Sequence, residues 1–190
     1  MLLDFDKTLE EAWKDIRHEI HRGALDSKHP YRFITLSTMG KDQIRSRWVV
    51  LRKVDDDLKL YIYSDYRTKK IRDIEERSMA QVLLYHDKKK LQIRMQGNAK
   101  VHHQNDLAKT HWKNVQGIGK RAYTPLIAPG NPIDRPEEAH KWPDNYSDKH
   151  FALVTFEPLE LDVLQLNRME HLRARFRKKG KEWTKTWVSP

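Results

Sequence analysis

The chain has 190 residues, with Lys+Arg 37 against Asp+Glu 27, a formal net charge of +10 and no cysteine. Six Trp, seven Tyr and five Phe within 38% hydrophobic residues can build a core, which excludes disorder throughout. Lack of cysteine excludes disulfides, thiolate metal sites and cysteine nucleophiles together; the charge excess implies an anionic partner or a basic solvated surface.

The first residues, MLLDFDKTLEEAW, carry acids where a signal peptide would carry basic and then apolar residues, and no stretch approaches the ~18 apolar residues of a membrane helix. A soluble, cytoplasmic protein is expected. Residues 8–22 read as a helix: Thr8 and Glu11 make a capping box, and Leu9, Ala12, Trp13, Ile16 and Ile20 fall on one face. The period then changes. Residues 31–38, 43–53 and 58–64 alternate as strands, separated by turns at Met39–Asp42 and Asp55–Asp57. Residues 66–77 predict a short helix on Ile71 and Ile74. Strands resume at 80–86 and 91–96, and Gly97 suggests a bend beyond which the strand continues. Residues 104–116 read as a helix. Five of the eight prolines lie between 125 and 143, so 120–150 is expected to be an irregular loop, a lid or interface segment or a mere insertion. Strands follow at 151–156 and 159–166, on either side of Pro158. In 171–177, Leu172, Ala174 and Phe176 share one face and His171, Arg173, Arg175 and Arg177 the other. Trp183, Lys185 and Trp187 alternate in a last strand. No domain boundary is evident. Six to eight antiparallel strands with a few helices predict one mainly β domain, a closed or partly closed barrel with helices at its rim.

Two stretches suggest an anion site. In the strand 45–53, RSRWVVLRK, alternation puts Arg45, Arg47, Val49, Leu51 and Lys53 on one face and Trp48, Val50 and Arg52 on the other. Mixed faces with charged ends fit either a ligand at the strand margin or end residues that snorkel to water. In YSDYRTKK, residues 63–70, a strand ends in Tyr63-Ser64 and a helix starts near Thr68-Lys69-Lys70. Hydroxyls, free N–H groups and cations are what a phosphate monoester needs to replace its water, although such lysines are also commonly solvated. Gln92, within LQIRM, can donate and accept at once, which suits a heteroaromatic ring edge as well as it suits solvent.

Other patterns fail. Gly117-Ile118-Gly119-Lys120-Arg121-Ala122 spells G-x-G-x-x-A but follows a polar helix and is soon followed by Pro125, so it is no dinucleotide fingerprint. His18 and His21 lack the H-E-x-x-H pattern, and no metal site is expected.

The order of the pieces is more specific than any one of them. Arg47-Trp-Val-Val-Leu-Arg52, an acidic turn, Leu60-Tyr-Ile-Tyr-Ser-Asp65, Thr68-Lys69-Lys70-Ile71, Leu91-Gln92-Ile93-Arg94-Met95-Gln96-Gly97 and a late Arg173-Ala-Arg175-Phe176 follow one another. This set resembles the pyridoxamine 5′-phosphate oxidase-like flavoproteins, in particular the related FMN-binding subgroup, over roughly residues 30–100 and 151–190. The resemblance implies a split β-barrel homodimer with FMN at the subunit interface. By motif match Arg47, Ser64, Lys69 and Lys70, with Tyr63 beside them, would hold the FMN phosphate. The main chain of Val49, Val50 and Leu51, flanked by Trp48 and Arg52, would lie along the isoalloxazine. Gln92 would contact the ring, and Arg175 would reach it from the C-terminal strands, where cations favour the anionic reduced flavin.

The chain departs from the family's oxidases on the substrate side. Arg52 stands where they have Lys, and His171-Leu172-Arg173 where they have Arg-x-His. Leu164 aligns with an aromatic flavin neighbour, and their substrate-phosphate set is not recognisable in 104–130. FMN binding is therefore expected, with a substrate other than pyridoxamine phosphate and with Arg52, His171 and Arg173 as its candidate contacts. Two alternatives stand beside an FMN-dependent oxidoreductase. One is the same barrel carrying flavin or haem without turnover. The other is a basic nucleic-acid binder using 171–187, for which no RNA- or DNA-binding motif is present.

Overall fold

The computed structural model describes residues 1–167 and 169–190. Helix α1 (Leu9–Leu25) starts where predicted: Thr8 accepts from the Glu11 N–H, and the Glu11 carboxylate accepts from the Thr8 N–H. Its face of Ala12, Trp13, Ile16 and Ile20 is buried. Trp13 stacks on Phe176 and meets Trp183, each with ring centroids 4.9 Å apart.

Eight antiparallel strands follow: β1 (Phe33–Met39), β2 (Ile44–Val54), β3 (Leu60–Asp65), β4 (Met79–His86), β5 (Leu91–His103), β6 (Phe151–Gln165), β7 (Leu172–Lys179) and β8 (Glu182–Val188). They hydrogen-bond in the order β3-β2-β1-β4-β5-β6-β7-β8, and β3 also pairs with β6. Six strands thus close a barrel and β7–β8 extend from it, the mainly β split barrel with peripheral helices that the sequence predicted. The inner residues alternate as expected: Ile34 and Leu36, Val82 and Leu84, Ile93 and Met95, Leu161 and Val163 and Phe176 are all buried. Among the described residues no helix is long and apolar enough to cross a membrane.

The long β6 makes this topology possible, and it corrects one expectation. Pro158 was expected to separate two strands, but β6 runs unbroken through it. Residues 151–156 close the barrel against β3, whereas 160–165 carry β7. The ladder between β5 and β6 shifts register between Gln96 and Gly97, which pairs with Pro158. A proline has no N–H to give a ladder, and the irregularity there accommodates it. Gly97 allows the two backbones to meet: a Cβ at this position would lie 2.0 Å from the Glu157 carbonyl oxygen.

Between strands, α2 (Lys69–Glu76) and α3 (Asp106–Lys113) lie within the predicted helices. Two 3₁₀ turns punctuate this region: Gly117–Tyr123 runs into the expected irregular loop 120–150 and Pro136–His140 lies within it.

The packing makes the fold acid-sensitive. Burial, with nearby lysines, lowers the pKa of His86 and of His111 below 6.5. The unfolded chain therefore binds more protons as pH falls through 6.5, so this stability is complete above that value and is lost below it. Thermal melts are expected to drop between pH 7.5 and 5.5, and substitution of His86 by Gln should flatten the drop.

Candidate functional site

The barrel is split where β2 and β3 part. Residues 44–50 of β2 pair with β1, but β3 joins β2 only at Leu51–Val54. The other edge of 44–50 has no strand partner among the described residues, so alternate residues there direct their N–H and C=O groups into the gap, a cleft, left where β2 and β3 part. The ladder shifts between Leu51 and Lys53, making Arg52 the extra residue of a β-bulge. Val49, Leu51 and Val54 are buried while Arg52 and Lys53 are both exposed. Strict alternation had placed Lys53 with Arg47; the bulge moves Lys53 to the side of Arg52. The two arginines face opposite sides of the sheet.

A cationic cluster brings together Arg47 of β2, Ser64 at the end of β3 and the first turn of α2. Arg47, in the inner row, donates to the Leu36 carbonyl at 3.0 Å and to Thr38 Oγ1 at 2.8 Å. Lys70 Nζ donates to Ser64 Oγ at 2.9 Å and to Thr68 Oγ1 at 3.2 Å. Burial and the nearby Arg47 push the Lys70 pKa down to about 8. Two carboxylates are close by, and each is engaged by another arginine. Asp73 accepts from Arg45 at 2.5 Å and from Thr38 at 2.7 Å, with Arg47 at 3.8 Å. Asp65 accepts from Arg67 at 2.7 and 3.0 Å. Arg45, Arg47, Arg67 and Lys70 thus share two carboxylates, which leaves a surplus of about two positive charges. Lys69 opens α2 and is exposed, and Thr68, the N-cap residue, makes no side-chain cap, so the first N–H groups of α2 are free of one. Such an arrangement fits a dianionic phosphate: the hydroxyls, N–H groups and surplus cations are its complement.

On the outer face Arg52 lies over the Tyr63 ring, 5.4 Å from its centroid, and donates to the Tyr123 hydroxyl at 3.2 Å. The Tyr63 hydroxyl bonds His111 Nδ1 at 2.9 Å. Arg67 binds the carbonyls of Pro125 and Leu126 at 2.7 and 3.4 Å. Residues 123–126 therefore bridge the two sides of the cleft. Neither Tyr123 nor His111 was picked out in the sequence: Tyr123 arrives from the irregular segment, and His111 from the predicted helix 104–116, where nothing local marks it as a partner of Tyr63.

Trp48 and Val50 also face outward, Trp48 being 70% exposed, together with Phe33, Met79, Leu83 and Tyr85. Gln92 lies on this same face, opposite Tyr85 on one side and Leu164 on the other. One row away, Arg94, Asp162 and Arg175 are cross-strand neighbours. Arg173 makes a two-point pair with Asp162, and His171 precedes β7 with its Nδ1 accepting from the Asn167 N–H at 3.1 Å. The predicted residues thus form two groups. Arg47, Ser64 and Lys70 converge within one chain; Gln92, Arg173 and Arg175 converge elsewhere. β2 and β5 have β1 and β4 between them, about 14 Å along the sheet at ordinary strand spacing.

A third cluster, Glu19, His29 and His86, brings three buried potential ligands together. Its hydrogen bonds argue against a metal. His29 Nδ1 accepts from the Tyr31 N–H at 3.1 Å and His86 Nδ1 from the Lys89 N–H at 3.3 Å. A neutral ring with Nδ1 accepting carries its proton on Nε2, so both rings present N–H and no lone pair. Glu19 is taken up by Lys89 at 2.7 Å, Arg22 at 3.2 Å and His29 at 3.2 Å. The cluster ties α1 to the turn between β4 and β5.

Residues 10–103 match the family model described as pyridoxamine 5′-phosphate oxidase, FMN-binding domain. No protein of curated function matches in sequence. Among solved structures, the chain is similar to a pyridoxamine 5′-phosphate oxidase-related, FMN-binding protein from Nostoc punctiforme PCC 73102. The TM-score is 0.78 at 21% identity, over 93% of this chain and 96% of that one. It is also similar to PhzG from Burkholderia lata 383, solved with tetrahydrophenazine-1-carboxylic acid. There the TM-score is 0.73 at 18% identity, over 97% and 95% of the two chains. At these identities the likeness concerns the fold. The matched segment, just under half of the chain, holds β1 to β5 and the whole cationic cluster, and it is similar in sequence to the pyridoxamine 5′-phosphate oxidase FMN-binding domain as the split barrel is similar in fold.

Proposed function

We propose that the chain binds FMN as a homodimer and acts as an oxidoreductase on a substrate other than pyridoxamine phosphate. The observation that carries the FMN reading is the surplus of about two positive charges around Arg47 and Lys70 beside an unpaired strand edge. The phosphate takes the two cations, the Ser64 and Thr68 hydroxyls and the first N–H groups of α2, with Lys69 adding charge from the surface. The ring would lie along the main chain of Val49–Leu51, whose outer edge is unpaired as far as Val50. Bound flavin supplies a hydride acceptor. Arg52 orients an anionic group of the substrate next to it, held ready by Tyr63 and Tyr123.

Gln92 and Arg175 lie on the far side of the same sheet, so a second copy is needed to bring them to this flavin. The exposed apolar row of Phe33, Trp48, Met79, Leu83 and Tyr85 supplies the surface for that copy.

Titrating FMN-free protein with FMN and with riboflavin, followed by flavin fluorescence, tests the reading. FMN should bind one per chain and at least ~100-fold more tightly than riboflavin, since charge-assisted hydrogen bonds contribute ~1.5–3 kcal/mol each and the phosphate accepts more than one. Bound phosphate favours the Lys70 ammonium, so binding takes up a proton above the free-state pKa of about 8 and affinity should weaken as pH rises beyond it. Equal affinity for riboflavin, or no uptake of either, rejects the proposal.

A further inference from the structure

The second group of candidate residues, on the outer face of β5–β7, contains more charge than the flavin reading uses. Arg94, Arg173, Arg175 and Arg177 surround only two carboxylates, Asp162 and Glu160. Asp162 is 4% exposed. Its Oδ1 accepts from Arg173 Nε at 2.9 Å, and its Oδ2 from Arg173 Nη2 at 2.9 Å and Arg94 Nη2 at 3.0 Å. Both oxygens are engaged, and Arg175 Nη2 stays 3.7 Å away. Glu160 offers no substitute: its Oε2 accepts from Arg177 at 2.6 Å, while Arg175 Nε is 3.4 Å from Oε1. Arg175 Nε is buried and has no hydrogen-bond partner. Burial works to raise the Asp162 pKa, and Arg173 and Arg94 outweigh it, so the carboxyl stays ionised well below neutral pH.

We infer that Asp162 is a positioning residue that consumes Arg173 and Arg94 and leaves Arg175 as the guanidinium delivered to the bound cofactor. Arg173 and Arg175 alternate on one strand face and have similar side-chain exposure, 28% and 31%. Exposure therefore does not separate them; hydrogen bonding does. Arg173 has a two-point carboxylate partner, whereas Arg175 has an unused donor one row from Gln92, on the same face. A planar guanidinium with donors to spare, beside an amide that reads both donors and acceptors, suits the polar edge of a flavin ring. Arg173 in this arrangement holds the frame and is not a substrate contact. Asp162 also limits the positive charge that the ring meets, so it sets the cofactor's potential through its neighbours.

The inference rests on the FMN reading, and it is tested with and without the cofactor. In the FMN-free protein, NMR of guanidinium Nε–H groups should show Arg173 protected from water exchange, with the protection lost in Asp162→Asn and restored in Asp162→Glu. An Arg173 Nε–H that exchanges freely in the wild-type chain overturns the proposal whatever FMN does. In the FMN-loaded protein, Arg175→Gln should weaken FMN binding about tenfold and lower the flavin midpoint potential. Arg173→Gln should change the affinity less than threefold. Asp162→Asn should raise the potential, because it removes a negative charge and releases two cations. If Arg173→Gln matches or exceeds Arg175→Gln, or if Asp162→Asn alters thermal stability but not the potential, the assignment is wrong. Failure of wild-type protein to take up FMN, with Arg173 still protected, would reject the cofactor reading and leave the ion-pair geometry standing.

Discussion

Lys70→Met should give a chain that melts at a higher temperature without FMN and binds FMN about 10- to 150-fold more weakly. The two effects have one cause. The Lys70 ammonium is largely removed from water, bonded to two hydroxyls and close to Arg47, and no carboxylate pairs with it among the described residues. Its pKa of about 8, against 10.5 in solvent, means that the FMN-free fold disfavours its charge. Between those two values the unfolded chain holds the proton more tightly, so stability rises with pH across that window, and below it the penalty is complete. A methionine of similar length removes the penalty. Ser64 and Thr68 keep their own 3.2 Å contact and their bonds to the Asp65 carbonyl. A relief of ~1 kcal/mol corresponds to roughly 2–4 °C for a chain of this size. The same ammonium is what a phosphate would use, and loss of one charge-assisted hydrogen bond costs ~1.5–3 kcal/mol of binding. Calorimetric melts in pH 7 buffer without phosphate, together with FMN titration, read both effects. A lower melting temperature with unchanged FMN affinity would make Lys70 a structural residue and remove the main support for the cofactor site. The rise of stability between pH 8 and 10 should also vanish in the variant.

Gly97→Ala should be the most damaging single-methyl change in the sheet. The new Cβ would meet the Glu157 carbonyl oxygen at 2.0 Å and Pro158 Cα at 2.8 Å, and both are backbone atoms of the neighbouring strand. A side chain could rotate away; a paired backbone cannot. The clash falls where β5 and β6 shift register, so its relief would disturb the ladder on both sides. Overpacking of this kind costs ~3 kcal/mol or more when no rotamer escape exists, equivalent to roughly 6–12 °C. Gly119→Ala is the control: its Cβ would find only Val115 at 3.7 Å and should leave the melting temperature within about 1 °C. Equal effects of the two substitutions in thermal melts would show that the β5–β6 contact is not tight.

How much of this was legible depended on whether the determining contacts were local. The α1 cap is a four-residue hydrogen-bond pattern and could be read from Thr8 and Glu11 alone. The alternation in β7 gave the buried Ala174 and Phe176 and the outward arginines. Pro158 misled, because its tolerance within β6 depends on Gly97, which is far away in sequence. The bulge at Arg52 was invisible for the same reason: alternation places Lys53 with Arg47 unless the partner strand forces an extra residue. Within the candidate site, Arg47, Ser64 and Lys70 were legible from their order along the chain, and the structure does bring those three side chains together. Their state was not. Which cations are neutralised depends on Asp65, Asp73 and Asp162, and each of these meets its arginines across a turn, a helix or a neighbouring strand. Composition reported the excess of positive charge without saying where it was left unspent.

The parting of β2 from β3 has a consequence for how such chains behave toward one another. An unpaired strand edge invites a strand from another molecule, the first step of edge-to-edge aggregation. Here the edge of residues 44–50 carries Arg45 and Arg47, with Lys70 close to Arg47 and Lys69 exposed beside it in sequence, and a second chain approaching in the same way would bring like charges against them. The cations that suit a phosphate therefore also deter illegitimate strand pairing while the cleft is empty, and the bound ring would occupy the edge afterwards. A ligand site and a safeguard against misassembly share Arg47, Lys69 and Lys70.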